Sequence, residues 1–403
     1  MRGGDGETSR RNNKRLSRVM SPLPTEEAPH TLGGTVVPGF SLDAIAGSID
    51  LSSFPQTRYQ GSKRKIIPWL WTHFRELDFT SALDLFGGTA SVSYLLKRMG
   101  KEVTYNDYLH FNHLIGLALI ENDETILNQD QIDAALTPVP KLSRRFVHDV
   151  FKGVYFTDQE NQWIDNVVAR INSLKAKPSE FPYKKALLYY ALFQSCLIKR
   201  PFNLFHRRNL YLRLANVKRE FGNKYTWDKS FNERFIAFCT EANKSVFKGA
   251  RRCRAIRYNA SDIPPGSFDL IYIDPPYLAK GRFKETSDYR KCYHFLEGLC
   301  TYGSWGDMID YQSINLRLKD LCPNDWIDPA KQIQALDALF DRFKKSIIVL
   351  SYKKFGVPSI DTLIRMFKRH GRRVCSHSRQ YKYALNHQNG TGELNREVLL
   401  IAE

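Results

Sequence analysis

Asp274, Pro275, Pro276 and Tyr277 directly follow an apolar run, FDLIYI, that predicts a buried strand. In an open α/β sheet, ligands bind beyond the carboxyl ends of the strands, which is where Asp274 would stand. Prolines fix the backbone and leave carbonyl groups able to accept hydrogen bonds, and the Tyr277 ring offers a face for stacking a flat heterocycle. Acceptors beside a stacking ring suit the exocyclic amino group of a nucleobase. A tight turn alone would explain the prolines but not the acid and the aromatic that flank them.

A second candidate site follows the predicted strand ALDLF at 82–86, where Gly87, Gly88 and Thr89 lead into a helix. Glycines after a strand let backbone N–H groups approach an anionic or polar ligand, although such a turn is often only structural. Asp107 stands about twenty residues further on, at the end of the next predicted strand, where a carboxylate commonly binds ribose hydroxyls. The glycine turn and the downstream acid together favour a cofactor that contains a nucleoside.

Two weaker segments flank these sites. The stretch RYQGSKRK at 58–65 precedes the first predicted strand, and its Gly61 and Lys63 would bring backbone and charge against a cofactor carboxylate. The stretch YNASDIP at 258–264 places Asp262 after a strand, where it would accept a hydrogen bond from an exocyclic amine. Taken alone, the first segment is an ordinary basic helix start and the second an ordinary loop.

The elements that must position these residues alternate between strand and helix. This pattern, joined by short links, predicts a parallel, Rossmann-like, doubly wound sheet. Two strands at the end of the chain, RRVCSHS and REVLLIAE, predict an antiparallel hairpin. The alternation stops between 136 and 249, where the pattern is mostly helical.

The chain therefore divides into three predicted parts. Residues 1–50 are rich in Gly, Ser, Arg, Asn and Pro and are expected to be a disordered basic segment. Residues 51–135 and 250–403 form the predicted catalytic domain, and residues 136–249 form a helical, basic insertion.

The charge of the chain indicates a polyanionic partner. The net charge is +18, and the stretch 184–257 carries 18 Lys and Arg residues against 4 Asp and Glu. A solvated protein face normally mixes both signs, so this one-sided excess favours nucleic acid. The sequence has no apolar stretch of membrane-spanning length, and its seven cysteines never occur at CxxC spacing. We therefore expect no membrane anchor, no disulfide scaffold, no bound metal and a cytoplasmic location.

The motifs and their order resemble the Dam-type, alpha-group adenine-N6 DNA methyltransferases: RYQGSK, DLFGGT, a central basic insertion and then IDPPY. The resemblance covers residues 55–403. It implies S-adenosylmethionine as the cofactor and Asp274 to Tyr277 as the catalytic motif. The cofactor-binding residues that it implies are Tyr59, Gly61, Lys63, Asp84, Phe86, Gly87, Gly88, Thr89, Asp107 and Asp262. The sequence departs from the family in one place, because the glycine turn reads FGGT where FxGxG is commoner.

The resemblance also implies that the insertion recognises the target in duplex DNA. The segment IKRPFNLFHRRNLYLR at 198–213 alternates basic groups with aromatics and amides. Basic side chains there would bind phosphates, and Asn203 or Asn209 would read base edges or fill the gap left by a flipped base. The residues expected to contact DNA are Lys199, Arg200, Asn203, Arg207, Arg208, Asn209 and Arg213. A cognate restriction endonuclease is a candidate partner.

Three alternatives stay open at this point. The same motif and basic surface would serve adenine-N6 methylation of RNA, and the same chemistry would serve cytosine N4. The chain would also fit a catalytically silent nucleic-acid-binding module. An Asp at the first position of the motif resembles the adenine enzymes more than the cytosine ones.

Overall fold

The computed structural model describes residues 54–215, 224–264, 266–278, 287–319, 324–381 and 396–403. The segment 1–50, expected to be disordered, lies outside the described residues. Within the described part of the chain, no helix is both long enough and apolar enough to cross a membrane.

Seven strands form one sheet in the order β3-β2-β1-β4-β5-β7-β6. Neighbouring strands from β3 to β5 run parallel, whereas β7 runs antiparallel to both β5 and β6. This confirms the predicted doubly wound α/β sheet with a C-terminal antiparallel hairpin. The strands are β1 (Ser81–Asp84), β2 (Glu102–Asn106), β3 (Arg254–Ile256), β4 (Leu270–Ile273), β5 (Ile347–Lys353), β6 (Val374–Gln380) and β7 (Arg396–Ala402).

The chain order changes direction between β1 and β4, because the chain runs outward from β1 to β3 and then returns to β4 on the other side of β1. Such a switch point leaves a crevice at the carboxyl ends of the two strands. Asp84 ends β1 and Asp274 follows β4. The fold therefore places the two carboxyl groups on either side of this crevice.

Both faces of the central sheet are covered. Leu270 and Tyr272 of β4 belong to one buried apolar cluster, whereas Ile271 and Ile273 belong to another. Successive side chains of a strand point to opposite faces, so each cluster marks one layer of helices packed on the sheet.

Several helices begin at residues whose side chains bond the first turn. Thr157 and Glu160 form a reciprocal capping box at one helix, and Ser230 and Glu233 form another. The helices are α1 (Ile67–Phe74), α2 (Ser91–Arg98), α3 (His110–Gly116), α4 (Gln129–Leu136), α5 (Phe146–Val150), α6 (Asp158–Asn172), α7 (Phe181–Ile198), α8 (Leu210–Leu214), α9 (Lys224–Asp228), α10 (Phe231–Ser245), α11 (Tyr289–Cys292), α12 (His294–Cys300), α13 (Trp305–Met308), α14 (Pro329–Arg342) and α15 (Ile360–Arg369).

The described part of the stretch 136–249 contains helices joined by loops and no strand, in agreement with its mostly helical pattern. Its longest helix, α7, is buried without interruption from Ala186 to Ile198. In the structure Pro68 is the second residue of α1, directly after a 3₁₀ turn at Lys63–Ile66, where the missing N–H has no intrahelical partner to lose.

Candidate active site

A cavity of about 990 Å³ opens beyond the carboxyl ends of β1, β2 and β4. Every residue predicted from the sequence as catalytic or cofactor-binding lines it. These are Tyr59, Gly61, Lys63, Asp84, Phe86, Gly87, Gly88, Thr89, Asp107, Asp262, Asp274, Pro275, Pro276 and Tyr277. Residues that are more than 200 positions apart in the chain thus share one cavity.

The glycine turn after β1 lies directly on the ring of Tyr105. A Cβ atom at Gly87 would come within 2.1 Å of that ring, so no larger residue fits without moving the turn. Gly88 has a positive φ of 48°, a conformation that favours glycine, and its carbonyl accepts a hydrogen bond from the Tyr105 hydroxyl at 2.9 Å. Although the glycine turn reads FGGT and not FxGxG, its conformation is fixed by contacts with Tyr105 of β2.

Asp107 connects the glycine turn to α3. Its carboxylate accepts hydrogen bonds from the backbone N–H of Gly88 at 2.9 Å, the N–H of Leu109 at 2.8 Å and the Asn112 amide at 3.1 Å. Burial raises the pKa of Asp107 to about 6, and these donors oppose the rise. The carboxylate is thus held in one orientation at the cavity wall.

Asp84 has an oxygen without a hydrogen-bond partner among the described residues. Its Oδ2 accepts a hydrogen bond from the Ser93 hydroxyl at 2.6 Å, whereas Oδ1 is buried and makes no hydrogen bond. Burial raises the pKa of Asp84 to about 7. An unsatisfied buried acceptor is costly, so this oxygen at the cavity wall fits a cationic or hydrogen-bond-donating ligand group.

Part of the cavity wall is aromatic. The ring of Phe86 meets Trp326 edge to face, with 4.7 Å between the ring centroids. Asp262 lies at the same cavity and is exposed. Flat apolar walls with one carboxylate suit a heterocycle that carries an amino group.

The RYQGSK segment is held by a stack of three tyrosine rings. Tyr59 lies parallel to Tyr293, with a centroid distance of 4.5 Å, and to Tyr289, with a distance of 5.3 Å. The backbone N–H of Gln60 donates to the Tyr293 hydroxyl at 2.7 Å. Gly61 has a φ of 83°, so glycine is favoured at this turn.

Lys63 is not placed as the sequence suggested. Its ammonium lies 2.7 Å from Asp274 Oδ2 and 3.3 Å from Glu397 Oε1, and it is buried. Burial would lower the pKa of Lys63, but Asp274 and Glu397 outweigh it and raise the pKa well above its ordinary value. Lys63 is therefore a partner of Asp274, and the structure gives no support to its expected contact with a cofactor carboxylate.

Tyr277 completes this cluster through its hydroxyl oxygen. That oxygen lies 2.6 Å from Asp274 Oδ1, 2.6 Å from Glu397 Oε1 and 2.9 Å from Lys63 Nζ. A phenol has one proton to donate, so it cannot be the donor to both carboxyl groups. The ring itself meets Tyr352 edge to face.

Burial raises the pKa of Asp274, the Lys63 ammonium opposes this rise, and the Glu397 carboxyl adds to it.

The two prolines of the motif agree only in part with the sequence expectation. Pro275 lines the cavity, but the Pro276 carbonyl accepts a hydrogen bond from the Gln332 amide at 2.8 Å, because Gln332 packs behind the motif. The sequence expectation that both carbonyls face a substrate is corrected for Pro276.

Four residues expected to contact DNA are buried in the insertion. Lys199 and Arg213 both bond Glu160, at 2.9 and 2.7 Å. Arg200 donates to the backbone carbonyls of Tyr155, Leu204 and Arg207 and to the Asn209 side chain. The expectation that Lys199, Arg200, Asn209 and Arg213 contact DNA is therefore corrected, since their polar groups stabilise the fold from within.

The other three stay at the surface. Arg207 and Arg208 are exposed, and Asn203 is partly exposed. Phe202 and Asn203 both have positive φ values, of 60° and 56°, which present the exposed Phe202 ring at the turn. These residues stay candidates for DNA contact.

Sequence reasoning missed two residues that line the cavity, Tyr289 and Trp326, and two that contact its lining residues, Tyr293 and Glu397. Glu397 lies in β7, inside the apolar run EVLLIA, and a carboxylate within a buried strand was the available signal. Trp326, Tyr289 and Tyr293 lacked a comparable signal, because single aromatics between helices are common. Among the described residues no group of three His, Cys, Asp or Glu side chains is arranged to hold a metal ion.

Comparisons with known proteins find methyltransferases among the relatives of this chain. The chain is 25% identical over 366 residues to the type II methyltransferase M2.HphI of Haemophilus parahaemolyticus, covering 87% of this chain and 98% of that protein. It is 24% identical over 336 residues to the type II methyltransferase M.NlaIII of Neisseria lactamica, covering 78% and 88%. The modification methylase StsI of Streptococcus sanguinis is 24% identical over 334 residues, covering 77% of this chain and 46% of that protein.

The family model of the D12 class N6 adenine-specific DNA methyltransferases matches residues 59–296, which begin at Tyr59 of the tyrosine stack and include the catalytic motif. More than half of the chain is matched, and the match contains the insertion as well as four of the seven strands. The chain belongs to the D12 class of N6 adenine-specific DNA methyltransferases.

Proposed function

We propose that the protein transfers a methyl group from S-adenosylmethionine to N6 of an adenine that is rotated out of duplex DNA. The observation that carries this proposal is the position of the unpartnered Asp84 Oδ1 in the same cavity as Asp274. The Asp84 carboxylate lacks a cationic partner among the described residues, whereas Asp274 follows β4, on the other side of the switch point. The two therefore suit a cationic cofactor and a nucleobase, respectively.

The residues of the cavity fit the cofactor group by group. Asp84 would accept from its ammonium group, Asp107 from the ribose hydroxyls and Asp262 from the adenine amino group. Gly87, Gly88 and Thr89 leave backbone close to the ligand, while Phe86 and Trp326 would enclose the adenine ring. When bound, this cofactor supplies an electrophilic methyl group.

Asp274 and the Pro275 carbonyl would accept the two N6 protons of the target adenine and direct the nitrogen lone pair away from themselves. Tyr277 would stack on the extruded base, whose release from the helix costs a few kcal/mol. Such stacking needs a ring face. The Lys63 ammonium lies 2.9 Å from the Tyr277 hydroxyl oxygen and 4.9 Å from the ring centroid, which places it at the hydroxyl end of the ring and not over a face. Asp274 would take the proton that N6 releases.

Residues 51–135 and 250–403 would form the catalytic part, and residues 136–249 would recognise the target sequence. Two relatives are named type II methyltransferases and one a modification methylase. These names favour a role in restriction and modification, with a cognate endonuclease as the partner. The D12 family acts on adenine in DNA, which disfavours cytosine N4 and RNA as targets.

The test is product identification with a matched variant. The protein is incubated with S-adenosylmethionine and plasmid DNA, or with RNA, and the nucleic acid is digested to nucleosides. N6-methyladenine from DNA is expected, and Asp274→Asn should reduce the single-turnover rate by about 10²-fold or more because N6 loses its ionised acceptor.

The two substrates and the matched variant separate the alternatives. No methylated nucleoside, with no binding of S-adenosylmethionine, would support the silent binding module. Methylation of RNA alone would contradict the proposed substrate. A wild-type rate in Asp274→Asn would contradict the proposed mechanism.

A further inference from the structure

The loop between α13 and α14 contains a short antiparallel hairpin whose ends are buried and whose tip is exposed. Ile309 and Leu318 form an antiparallel bridge, and the N–H of Asp310 donates to the Arg317 carbonyl at 2.8 Å. We refer to residues 309–318 as the 309–318 hairpin. It lies C-terminal to the catalytic motif and outside the insertion at 136–249 to which the sequence assigned target recognition.

The tip of this hairpin is ordered by its own hydrogen bonds. The Ser313 hydroxyl donates to the Asp310 carbonyl at 2.8 Å and accepts from the Arg317 N–H at 2.9 Å, and the Gln312 N–H donates to Asp310 Oδ1 at 3.1 Å. A tip fixed in this way loses little conformational entropy when it binds a partner.

The hairpin tip and the segment 202–214 carry the most exposed large apolar side chains of the described residues. Ile314 is 77% exposed, Tyr211 68%, Leu214 62% and Tyr311 59%. Single exposed apolar residues are ordinary, but clusters of them mark surfaces that bind partners. These four come from two parts of the chain about 100 residues apart.

A buried polar junction joins the two parts. The Tyr155 hydroxyl oxygen lies 2.6 Å from the Phe205 carbonyl oxygen and 2.9 Å from the Asn315 carbonyl oxygen. The Asn315 amide also donates to the Phe205 carbonyl at 3.1 Å. The hairpin and the segment 202–214 are therefore neighbours.

The same junction connects both parts to the wall of the active-site cavity. The Phe205 N–H donates to the Cys292 carbonyl at 2.8 Å, and His294 Nε2 lies 2.7 Å from the Tyr155 hydroxyl. These two residues flank Tyr293, which stacks on Tyr59 at the cavity. The exposed surface is thus attached to the part of the protein that would meet DNA beside the target base.

We propose that the 309–318 hairpin binds duplex DNA together with the segment 202–214, and that Ile314 and Tyr311 contact the bases or sugars of a groove next to the target adenine. The proposal rests on the proposed function, because it assigns the substrate surface of that reaction. The wide groove of B-DNA admits a two-stranded ribbon, and apolar side chains act as wedges that unstack base steps. Exposed Arg207 and Arg208 supply the phosphate contacts beside it.

The test compares Ile314→Ser with Ile126→Ser. Ile126 is also strongly exposed, at 53%, but it belongs to the loop before α4 and does not line the cavity. The probe is a linear duplex cut from the plasmid that is used in the methylation assay, and it is used whether or not methylation is detected. Ile314→Ser should weaken duplex binding and raise the KM for DNA roughly ten-fold, whereas Ile126→Ser should change neither.

Two further measurements separate an apolar contact from a general loss of structure. The affinity for S-adenosylmethionine should be unchanged in Ile314→Ser, and Ile314→Leu should restore duplex binding. The slope of log Kd against log salt concentration should also stay at the wild-type value, since no phosphate contact is removed.

The proposal is overturned if Ile314→Ser binds the duplex like the wild type, or if it instead changes the sedimentation of the protein, which would assign the surface to a second copy of the chain. Duplex binding is measured without turnover. Failure of the wild type to methylate DNA would therefore contradict the proposed function while the binding comparison still decides about the hairpin.

Discussion

The active-site cavity and the basic insertion differ in how well the sequence predicts which residues form them. All fourteen residues predicted for the cavity line it. Of the seven residues predicted to contact DNA, four are buried: Lys199, Arg200, Asn209 and Arg213. Motifs at strand ends depend on backbone geometry that the fold repeats, whereas a count of positive charges does not show which side chains reach the solvent.

The largest effect should separate the structural charges of the insertion from those at its surface. Glu160→Ala removes the partner of Lys199 and Arg213, and breaking a buried ion pair costs about 3–5 kcal/mol. A lower free energy of unfolding is expected in urea titration.

Two controls accompany this measurement. The free energy of unfolding should fall less in Glu160→Gln than in Glu160→Ala, since the amide oxygen can still accept the hydrogen bond from the N–H of Thr157. The double variant Arg207→Ala/Arg208→Ala should unfold at the wild-type urea concentration. Equal stability of Glu160→Ala and the wild type would mean that Lys199 and Arg213 are free to serve another role.

The next effect concerns the cavity. Glu397→Gln keeps the shape of a fully buried side chain and removes its charge beside Asp274. Because the Glu397 carboxyl raises the pKa of Asp274, the variant should move the acidic limb of the single-turnover rate to lower pH. Displacement of Lys63 and Tyr277 should also slow the rate by up to about 10²-fold.

The pH profile separates this role from a structural one. Ser351→Ala, which removes the hydroxyl that donates to Glu397 at 2.7 Å but leaves both carboxyl groups, is the matched control and should shift the limb less. An unshifted limb in Glu397→Gln would show that Glu397 does not act on Asp274.

A smaller effect is expected on cofactor affinity. Asp84 has a pKa of about 7 in the free protein, so below pH 7 it is mostly protonated. Binding of a cationic group favours the ionised form and must then release a proton. Affinity for S-adenosylmethionine should therefore fall about ten-fold per pH unit below pH 7 and level off above it.

Calorimetry in buffers of different ionisation enthalpy measures the released proton directly. Asp84→Asn should bind more weakly at pH 8 and lose this dependence on pH. A flat affinity between pH 6 and pH 8 in the wild type would remove Asp84 as the ligand of the ammonium group.

The smallest effect should come from the exposed arginines. Removing Arg207 or Arg208 should weaken duplex binding a few-fold at physiological salt and reduce the salt slope by about one unit for each lost phosphate contact. Filter binding over a range of salt concentrations measures this. Arg200→Ala should instead lower stability, because its guanidinium donates to three backbone carbonyls inside the insertion.

The sequence predicts the sheet, the hairpin at its end and the glycine turn because each has a local pattern. Gly87 is an example, since a strand followed by glycines already indicates a close backbone approach. Lys63 and Glu397 are different. Lys63 looked like a cofactor contact because nothing local showed that β7 brings a carboxylate to it, and the pairing of β5 with β7 is a long-range property of the fold.

The charge pattern of the insertion has a similar limit. Thr157 and Glu160 predict the start of a helix, but the pattern does not show that Glu160 also neutralises two basic residues about 40 and 50 positions later. The excess of basic residues remains evidence for a polyanionic partner, but fewer of these side chains are at the surface than the sequence suggests.

The hydrogen bonds of Tyr155 limit which segments can be exchanged when chimaeras of this protein are made. Tyr155 belongs to the insertion, while its partners His294 and Asn315 belong to the C-terminal half of the chain. A chimaera that exchanges only residues 136–249 would leave buried polar groups on both sides without partners, at about 1–3 kcal/mol each. Grafting a new sequence specificity onto this scaffold should therefore succeed only when the exchanged block carries residues 288–318 along with the insertion.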